Sequence, residues 1–162
     1  MENKKLFEKF IKAVGLVAPQ GVCSMGLVIN KSGRAVNWSA VLDRPAVLAI
    51  DGLANSADEF IVAMGKAIES GRWIIVEIKD DLPGVLFSKL KLLATSNRMQ
   101  YVENGIIKDV KLSRGRIIVT GLTEVINRVK KEYPDFINLF GSDRDLTFVC
   151  RGHTIVCRRH KS

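Results

Sequence analysis

The sequence of 162 residues predicts a three-layer α/β domain with a largely parallel sheet, on the basis of three observations. The runs 46–53 and 91–98 are short and apolar and lack period-two alternation, which is typical of strands covered on both faces. Between them, residues 57–69 carry apolar side chains at helical spacing. A polar residue follows each apolar run. Together these features favour strands and helices that alternate around a parallel sheet.

The composition is that of a globular protein folded as a single domain. Hydrophobic residues make up 47% and charged residues 26% of the chain. No apolar run approaches the roughly 20 residues that span a bilayer, so no membrane partner is expected. The charged N-terminal segment does not look like a secretory signal, and three cysteines without dense spacing do not indicate a disulfide framework. A cytoplasmic, reducing location is therefore expected.

The charge balance favours polyanion partners. The chain has 25 Lys and Arg against 17 Asp and Glu, which gives a net charge of +8 and a pI near 9.6. Such a charge attracts nucleic acid but selects no fold, and many basic proteins bind no specific partner.

Asp51 and Asn97 form a candidate pair at the ends of the two apolar runs. Open α/β sheets bind ligands outside the carboxyl ends of their strands. In nucleotide-hydrolysing P-loop proteins these places hold a magnesium-associated aspartate and a polar sensor residue. The alternative is two buried strands that end in ordinary turn residues.

Turn chemistry predicts a first β-hairpin after an N-terminal amphipathic helix at 6–17. A strand at 26–29 leads into a glycine-containing turn, and residues 35–38 form the returning arm. Lys31 and Arg34 lie in that turn, which makes them candidates for contact with phosphates.

A second hairpin is predicted between the helix and the run that ends at Asn97. Residues 73–78 are rich in β-branched side chains, and residues 79–84 include the turn-forming Pro-Gly pair. Residues 85–87 would return as the second arm. Lys79 would then lie on an inserted β-hairpin.

The order of these segments resembles the AAA+ core of minichromosome maintenance (MCM) replicative helicases, starting just after the phosphate-binding loop of that family. Each match is short, but the matches occur in the order that the family has. The matching segments are 10–19, a helix that ends in Ala-Pro; Ile50 and Asp51, the start of the Walker B acidic pair; 66–69, similar to an Ala-Met-Glu segment; 94–97, the sensor strand; and 142–149, the arginine-finger segment.

The resemblance implies one AAA+-like domain over residues 1–149, followed by a basic tail at 150–162. It also implies that Lys79 occupies the hairpin on which these helicases carry a DNA-contacting lysine. Asp51 and Asn97 would be the remnant of the nucleotide site.

The departures from the family argue against independent ATP hydrolysis. The sequence contains no Gly-Lys-Ser/Thr loop to hold phosphates. Gly52 replaces the acidic residue that would polarise water, and Asp143 stands where the family has its arginine finger. An arginine finger alone contributes about 10³–10⁵ in rate. The protein is therefore not expected to act as an enzyme, and ATP with magnesium is not an expected cofactor.

The most basic stretch runs from Lys108 to Lys131, where short strands and a helix capped by Thr123 are predicted. Lys111, Arg114 and Arg116 are candidate phosphate contacts in this stretch. The alternative is a solvated strand edge, where lysines block unwanted pairing.

Cys150, His153, Cys157 and His160 carry the side chains that zinc prefers. However, only three residues separate the two Cys-His pairs, and Thr-Ile-Val at 154–156 favours a strand that would hold the pairs apart. No metal site is therefore expected.

The leading functional hypothesis is a non-catalytic protein that binds DNA or another polyanion and is associated with replication. An alternative is an interaction module that docks on AAA+ helicase subunits or on its own copies. A third is residual nucleotide binding, and an unrelated small binding protein is a fourth.

Overall fold

The computed structural model describes residues 25–33, 37–40, 42, 44–51, 57–112, 117–140, 146–150 and 153–157. In these residues the strands are β1 (Met25–Asn30), β2 (Ala46–Ile50), β3 (Ile74–Ile78), β4 (Arg98–Glu103), β5 (Ile106–Lys111), β6 (Ile117–Leu122), β7 (Leu146–Cys150) and β8 (His153–Cys157). The α-helices are α1 (Ala57–Glu69), α2 (Gly84–Ser96) and α3 (Thr123–Glu132), and short 3-10 helices cover Trp38–Ala40 and Ile137–Leu139.

The main sheet has the strand order β2-β3-β6-β1-β8-β7. Its first four strands are mutually parallel, whereas β8 pairs antiparallel with β1 and β7 pairs antiparallel with β8. The prediction of an α/β fold with a largely parallel sheet is confirmed. We call the edge where β1, β2, β3 and β6 end the carboxyl edge.

The inner parallel strands are buried on both faces, which explains why their sequences do not alternate. Ile74 and Val76 point to one face and Ile75 to the other, and all three are fully buried. In β6, the successive residues Ile117 and Ile118 point to opposite faces and are also fully buried. A strand covered on both faces needs apolar residues throughout.

The three α-helices share one face of the sheet. Their buried side chains belong to the same core cluster as Met25 and Leu27 of β1 and Ile74 of β3. Ile75 and Ile118 face the opposite side and lie outside this cluster, although they are fully buried. A three-layer arrangement with α-helices on both faces is therefore not seen in the described part of the chain.

Helix α1 agrees with the prediction. Asp58 and Glu59 occupy its first turn, where carboxylates interact favourably with the helix dipole. The chain then turns at Gly71, whose φ of 70° suits a residue without Cβ. Asn55 and Ser56, whose side chains can cap a helix that begins here, lie outside the described residues.

Residues 84–96 correct the prediction most strongly, because they form helix α2 instead of a hairpin arm and a strand. Pro83 is the N-cap, and its carbonyl accepts hydrogen bonds from the backbone N–H groups of Leu86 and Phe87, both at 3.0 Å. The apolar positions have helical spacing and form one buried stripe. The buried residues are Leu86, Phe87, Leu90, Leu93 and Ala94.

An inserted hairpin exists, but it lies further along the chain than predicted. Strands β4 and β5 form a separate two-stranded antiparallel sheet, whereas residues 74–78 belong to the main sheet. Asn104 and Gly105 form the turn with φ values of 53° and 76°, as a type I′ turn requires. Met99 and Val110 bury one side of this hairpin against the helices.

The first predicted hairpin is also wrong. Strand β1 pairs with β6 and β8, and Trp38 begins a 3-10 helix instead of ending a returning arm. Residues 34–36 and the predicted helix at 6–17 lie outside the described residues.

One of the short strands predicted in the basic stretch from Lys108 to Lys131 is β6, a central strand of the sheet. Thr123, predicted as a helix cap, is instead the first residue of α3, and Leu122 occupies the N-cap without a side-chain hydrogen bond. The Thr123 Oγ1 atom is buried and has no hydrogen-bond partner in the described part of the chain.

Candidate functional site

Asp51 and Asn97 do not both lie at strand ends. Asp51 follows β2 at the carboxyl edge and is exposed, as predicted. Asn97 caps helix α2 in the left-handed conformation, and its carbonyl accepts a hydrogen bond of 2.7 Å from the backbone N–H of Leu112. It therefore lies at the base of the β4–β5 hairpin. The sensor-strand placement of residues 94–97 is wrong.

Lys79 lies at the carboxyl edge instead of on a hairpin. Its Nζ is 3.0 Å from Oε2 of Glu77, so an ion pair already occupies this lysine. The next two residues, Asp80 and Asp81, are exposed carboxylates. Lys31 lies just beyond the end of β1 and is also exposed. Because lysines and carboxylates are mixed here, this edge is a poor general surface for a polyanion.

A pocket of ≈ 210 Å³ opens at the carboxyl edge. Glu77 of β3 and Thr120 of β6 are direct neighbours in the parallel register and lie on the face opposite the helices. Trp38, which is almost fully buried, forms another part of the wall. The described residues that line it are Asn30, Gly33, Trp38, Glu77, Ile78, Lys79, Thr120, Gly121 and Leu122.

The β4–β5 hairpin offers a second and different surface. Three cross-strand pairs point away from the core, and all six residues are exposed. We call this surface the outer hairpin face. Its pairs, from the base of the hairpin to the turn, are Arg98 with Lys111, Gln100 with Asp109, and Val102 with Ile107.

The base of the outer hairpin face places two cations directly opposite each other. Arg98 and Lys111 are register partners, and neither forms an ion pair with any described residue. Like charges directly across a strand pair are destabilising. Asp109 is the single carboxylate of this face. The structure therefore places Lys111, a predicted phosphate contact, directly opposite a second cation.

On the inner side of the same hairpin, which is the face that packs on α1, the charged side chains form ion pairs. Glu103 forms ion pairs with Lys66 of α1 and Lys108 of β5. Hydrogen bonds from these two lysines lower the pKa of Glu103 below its usual range, and the bond to Glu103 raises the pKa of Lys108. Burial raises the pKa of Tyr101, whose hydroxyl donates a hydrogen bond of 3.0 Å to Glu69. These contacts hold the hairpin on α1.

The end of the hairpin near its turn is apolar and exposed. Val102 is 57% exposed, Ile106 is 61% exposed and Ile107 is 69% exposed. Val102 and Ile107 are cross-strand partners on the outer hairpin face, whereas Ile106 pairs with Glu103 and points to the other face. The hairpin thus has a cationic base and an apolar end.

Arg34, Arg114 and Arg116 lie outside the described residues. All three therefore remain candidates from the sequence alone.

The cysteine–histidine segment forms the β7–β8 hairpin, as the predicted strand at 154–156 required. Cys150 pairs with His153 at one end, while Cys157 pairs with Leu146 at the other. A five-residue strand separates its ends by about 13 Å. The boundary expected between residues 149 and 150 falls inside this hairpin, and His160 lies outside the described residues.

No protein-family model matches the chain, and no curated protein matches it either. The resemblance to MCM helicases stays an expectation from short motifs. Within the described residues, none of the helices has the length and apolar character needed to cross a bilayer.

Sequence reasoning missed Arg98 and Glu77 as candidate site residues. For Arg98 a signal was present, because Asn104-Gly105 between β-rich runs is a strong indicator of a two-residue hairpin turn. Placing that turn fixes the register and sets Arg98 opposite Lys111. Glu77 had no comparable signal, since its neighbour Thr120 comes from a distant part of the sequence.

Proposed function

We propose that the protein is a non-catalytic nucleic-acid-binding protein that contacts DNA with its outer hairpin face. One observation carries the proposal: Arg98 and Lys111 are directly opposed cations without an ion-pair partner among the described residues. A phosphate placed between them would turn a repulsive pair into two charge-assisted contacts. The net charge of +8 would attract the polyanion from a distance.

The shape of the hairpin suits this role. A two-stranded β-ribbon fits the major groove of B-DNA, and several DNA-binding proteins use strands in either groove. The cationic base would hold the phosphate backbone. The apolar end, with Val102 and Ile107, would contact sugars or unstacked bases, as apolar side chains do in minor-groove proteins. Binding is therefore expected to depend weakly on sequence.

The AAA+ relation is a finer proposal about the scaffold. It is supported by the largely parallel sheet and by the position of Asp51 at the carboxyl end of β2. Lys79 and Asn97 lie on other elements than the resemblance implies. Neither residue therefore contributes to the DNA-binding proposal, and a role in replication rests on the resemblance alone.

The test is fluorescence anisotropy with labelled duplex and single-stranded DNA over a salt series starting at about 50 mM. Wild-type affinity should fall with salt, with a slope in log–log form of about −0.9 per duplex phosphate contacted. The double variant Arg98→Ala/Lys111→Ala should bind about 10- to 100-fold more weakly, with a slope smaller in magnitude by about 2.

The matched control is Lys31→Ala/Lys79→Ala, which removes the same number of charges at the carboxyl edge. It should change affinity only a few-fold. Absence of binding at the lowest salt would refute the proposal. Equal losses in the two double variants would show that net charge acts without the hairpin.

A second candidate is self-association through the apolar end of the hairpin, which the exposure of Val102, Ile106 and Ile107 favours. Light scattering after size exclusion distinguishes it. A dimer that Val102→Ser/Ile107→Ser converts to a monomer would support an interaction module, whereas a wild-type monomer at high concentration would exclude it.

A further inference from the structure

The pocket at the carboxyl edge combines a half-buried carboxylate with an ammonium group. Glu77 lies in β3 and Lys79 follows directly after the strand, where its ammonium group reaches the carboxylate of Glu77. Their ion pair of 3.0 Å lies at the pocket mouth, with side chains 24% and 55% exposed. Such exposed pairs are weak, so a ligand can separate the two groups at little cost.

The walls and size of the pocket restrict the ligand. Trp38 borders the pocket as an almost fully buried side chain, and Thr120 lies beside Glu77. The volume of ≈ 210 Å³ is below the roughly 300–1,000 Å³ of sites for drug-sized ligands. A single flat ring system fits this space, with the rest of a larger molecule outside.

The polar groups of the pocket specify which hydrogen bonds the ring must offer. A carboxylate only accepts hydrogen bonds and an ammonium group only donates them. The ligand therefore needs donors on the side of Glu77 and an acceptor on the side of Lys79. A nucleobase has both kinds of group on one edge of a flat ring.

We propose that this pocket binds the guanine base of a nucleoside or nucleotide. Guanine offers two adjacent donors, N1–H and the N2 amino group, to the two oxygens of Glu77. Its O6 acceptor lies beside them and faces Lys79. Adenine has one donor and one acceptor on this edge and makes one bond fewer. The site is separate from the outer hairpin face and does not depend on the DNA-binding proposal.

Isothermal titration of the full chain with guanosine, inosine and adenosine tests the proposal. Inosine keeps N1–H and O6 but lacks the N2 amino group. Guanosine should bind about 10- to 150-fold more tightly than inosine, because a hydrogen bond to a charged acceptor is lost. This comparison uses only the wild-type protein, so it does not depend on the folding of a variant.

Two variants separate the roles of the polar groups. Glu77→Gln should weaken guanosine binding about tenfold or more and bring the guanosine-to-inosine ratio close to one. Lys79→Met should weaken both ligands equally and leave that ratio unchanged, because both keep O6. Asp109→Asn, which removes a carboxylate from the outer hairpin face, is the control and should change neither affinity.

Three outcomes would overturn the proposal. They are no measurable heat with millimolar guanosine, equal affinities for guanosine and inosine, and an unchanged ratio in Glu77→Gln that keeps the wild-type circular dichroism spectrum.

Discussion

The carboxyl edge and the outer hairpin face both carry exposed cations, but they differ in how those cations are compensated. At the carboxyl edge, Lys79 is paired with Glu77, and two more carboxylates follow directly in the chain. On the outer hairpin face, Arg98 stands opposite Lys111 without an ion pair among the described residues. The first region suits a small ligand with donors and acceptors, and the second suits phosphates.

This difference shows why counting basic residues does not locate a polyanion site. Lys108 lies on the same strand as Lys111, yet it is engaged with Glu103, as is Lys66 of α1. What distinguishes Arg98 and Lys111 is their pairing partner, which only the strand register reveals. Repulsion between neighbours is therefore a better guide than the net charge of a segment.

The largest expected effect comes from charge reversal at the base of the hairpin. Arg98→Glu/Lys111→Glu should weaken DNA binding by at least about 100-fold, because two contacts become repulsive toward phosphate. Lys31→Glu/Lys79→Glu changes the net charge by the same amount and should reduce affinity about tenfold or less. Anisotropy at about 100 mM salt measures both variants, and a reversed order of effects would move the DNA site to the carboxyl edge.

A smaller effect should come from a change in the packing of the β4–β5 hairpin on α1. The ring of Tyr101 packs directly on Gly65, and a Cβ at this position would overlap ring carbons. Gly65→Ala should therefore destabilise the protein by about 1–2 kcal/mol, although alanine normally favours a helix. The melting temperature should fall by roughly 2–8 °C.

Gly84→Ala is the control for this variant. Among the described residues, a Cβ at Gly84 would meet the hydroxyl of Tyr133 alone, at an ordinary contact distance of 3.6 Å. Its melting temperature should stay the same or rise slightly. If Gly65→Ala shifts the hairpin, it should also weaken DNA binding and leave guanosine binding unchanged. An unchanged melting temperature for Gly65→Ala would contradict the packing of Tyr101.

The smallest effect concerns the ion pairs on the inner side of the hairpin, and it appears as a dependence of protein stability on pH. The pKa of Glu103 is lowered in the folded protein by hydrogen bonds from Lys66 and Lys108. Its contribution to stability is therefore present above the unfolded pKa, near 4.5, and is lost as pH falls through the lower folded pKa. The loss belongs to the acidic side of the stability profile.

Glu103→Gln should lower the melting temperature at pH 7, and its effect should shrink as the pH falls below the unfolded pKa near 4.5. In a background of Lys66→Met/Lys108→Met, the same substitution should have little effect at any pH, since its partners are absent. An effect of constant size from pH 7 into the acidic range would show that the carboxylate charge is not the cause.

Sequence patterns correctly predicted those elements in which the spacing of apolar residues fits only one type of secondary structure. Helix α1 has an apolar stripe, acids in its first turn and Gly71 at its end, and all three agree with the fold. Strand β2 is predictable as a short apolar run without alternation, and β3 as a run rich in β-branched residues. The strand that became β6 was recognised for the same reason, but its central position could not be predicted.

Helix α2 was missed because two signals competed. The Pro83-Gly84 pair is common in turns, but proline is also well tolerated at the start of a helix. The buried residues Leu86, Leu90 and Leu93 have helical spacing, yet the short run at 91–98 also fits a buried strand. The resemblance to a helicase favoured the strand, and tertiary packing favours the helix.

The pocket could not be predicted, because it depends on strand order. Glu77 and Thr120 become neighbours only because β3 and β6 are adjacent in the sheet, while β4 and β5 leave it. Trp38 reaches the same place from a segment that was expected to be a strand. No local sequence pattern indicates that residues from such distant segments become neighbours.

The position of β1 also constrains how the chain is made. Its two neighbours, β6 and β8, come from residues 117–122 and 153–157, so β1 emerges from the ribosome long before either. At about 5–20 residues per second, this delay is on the order of 10 s. During that time an apolar strand has two unpaired edges, which are templates for aggregation. A nascent chain stalled before Ile117 should therefore need a chaperone to stay monomeric.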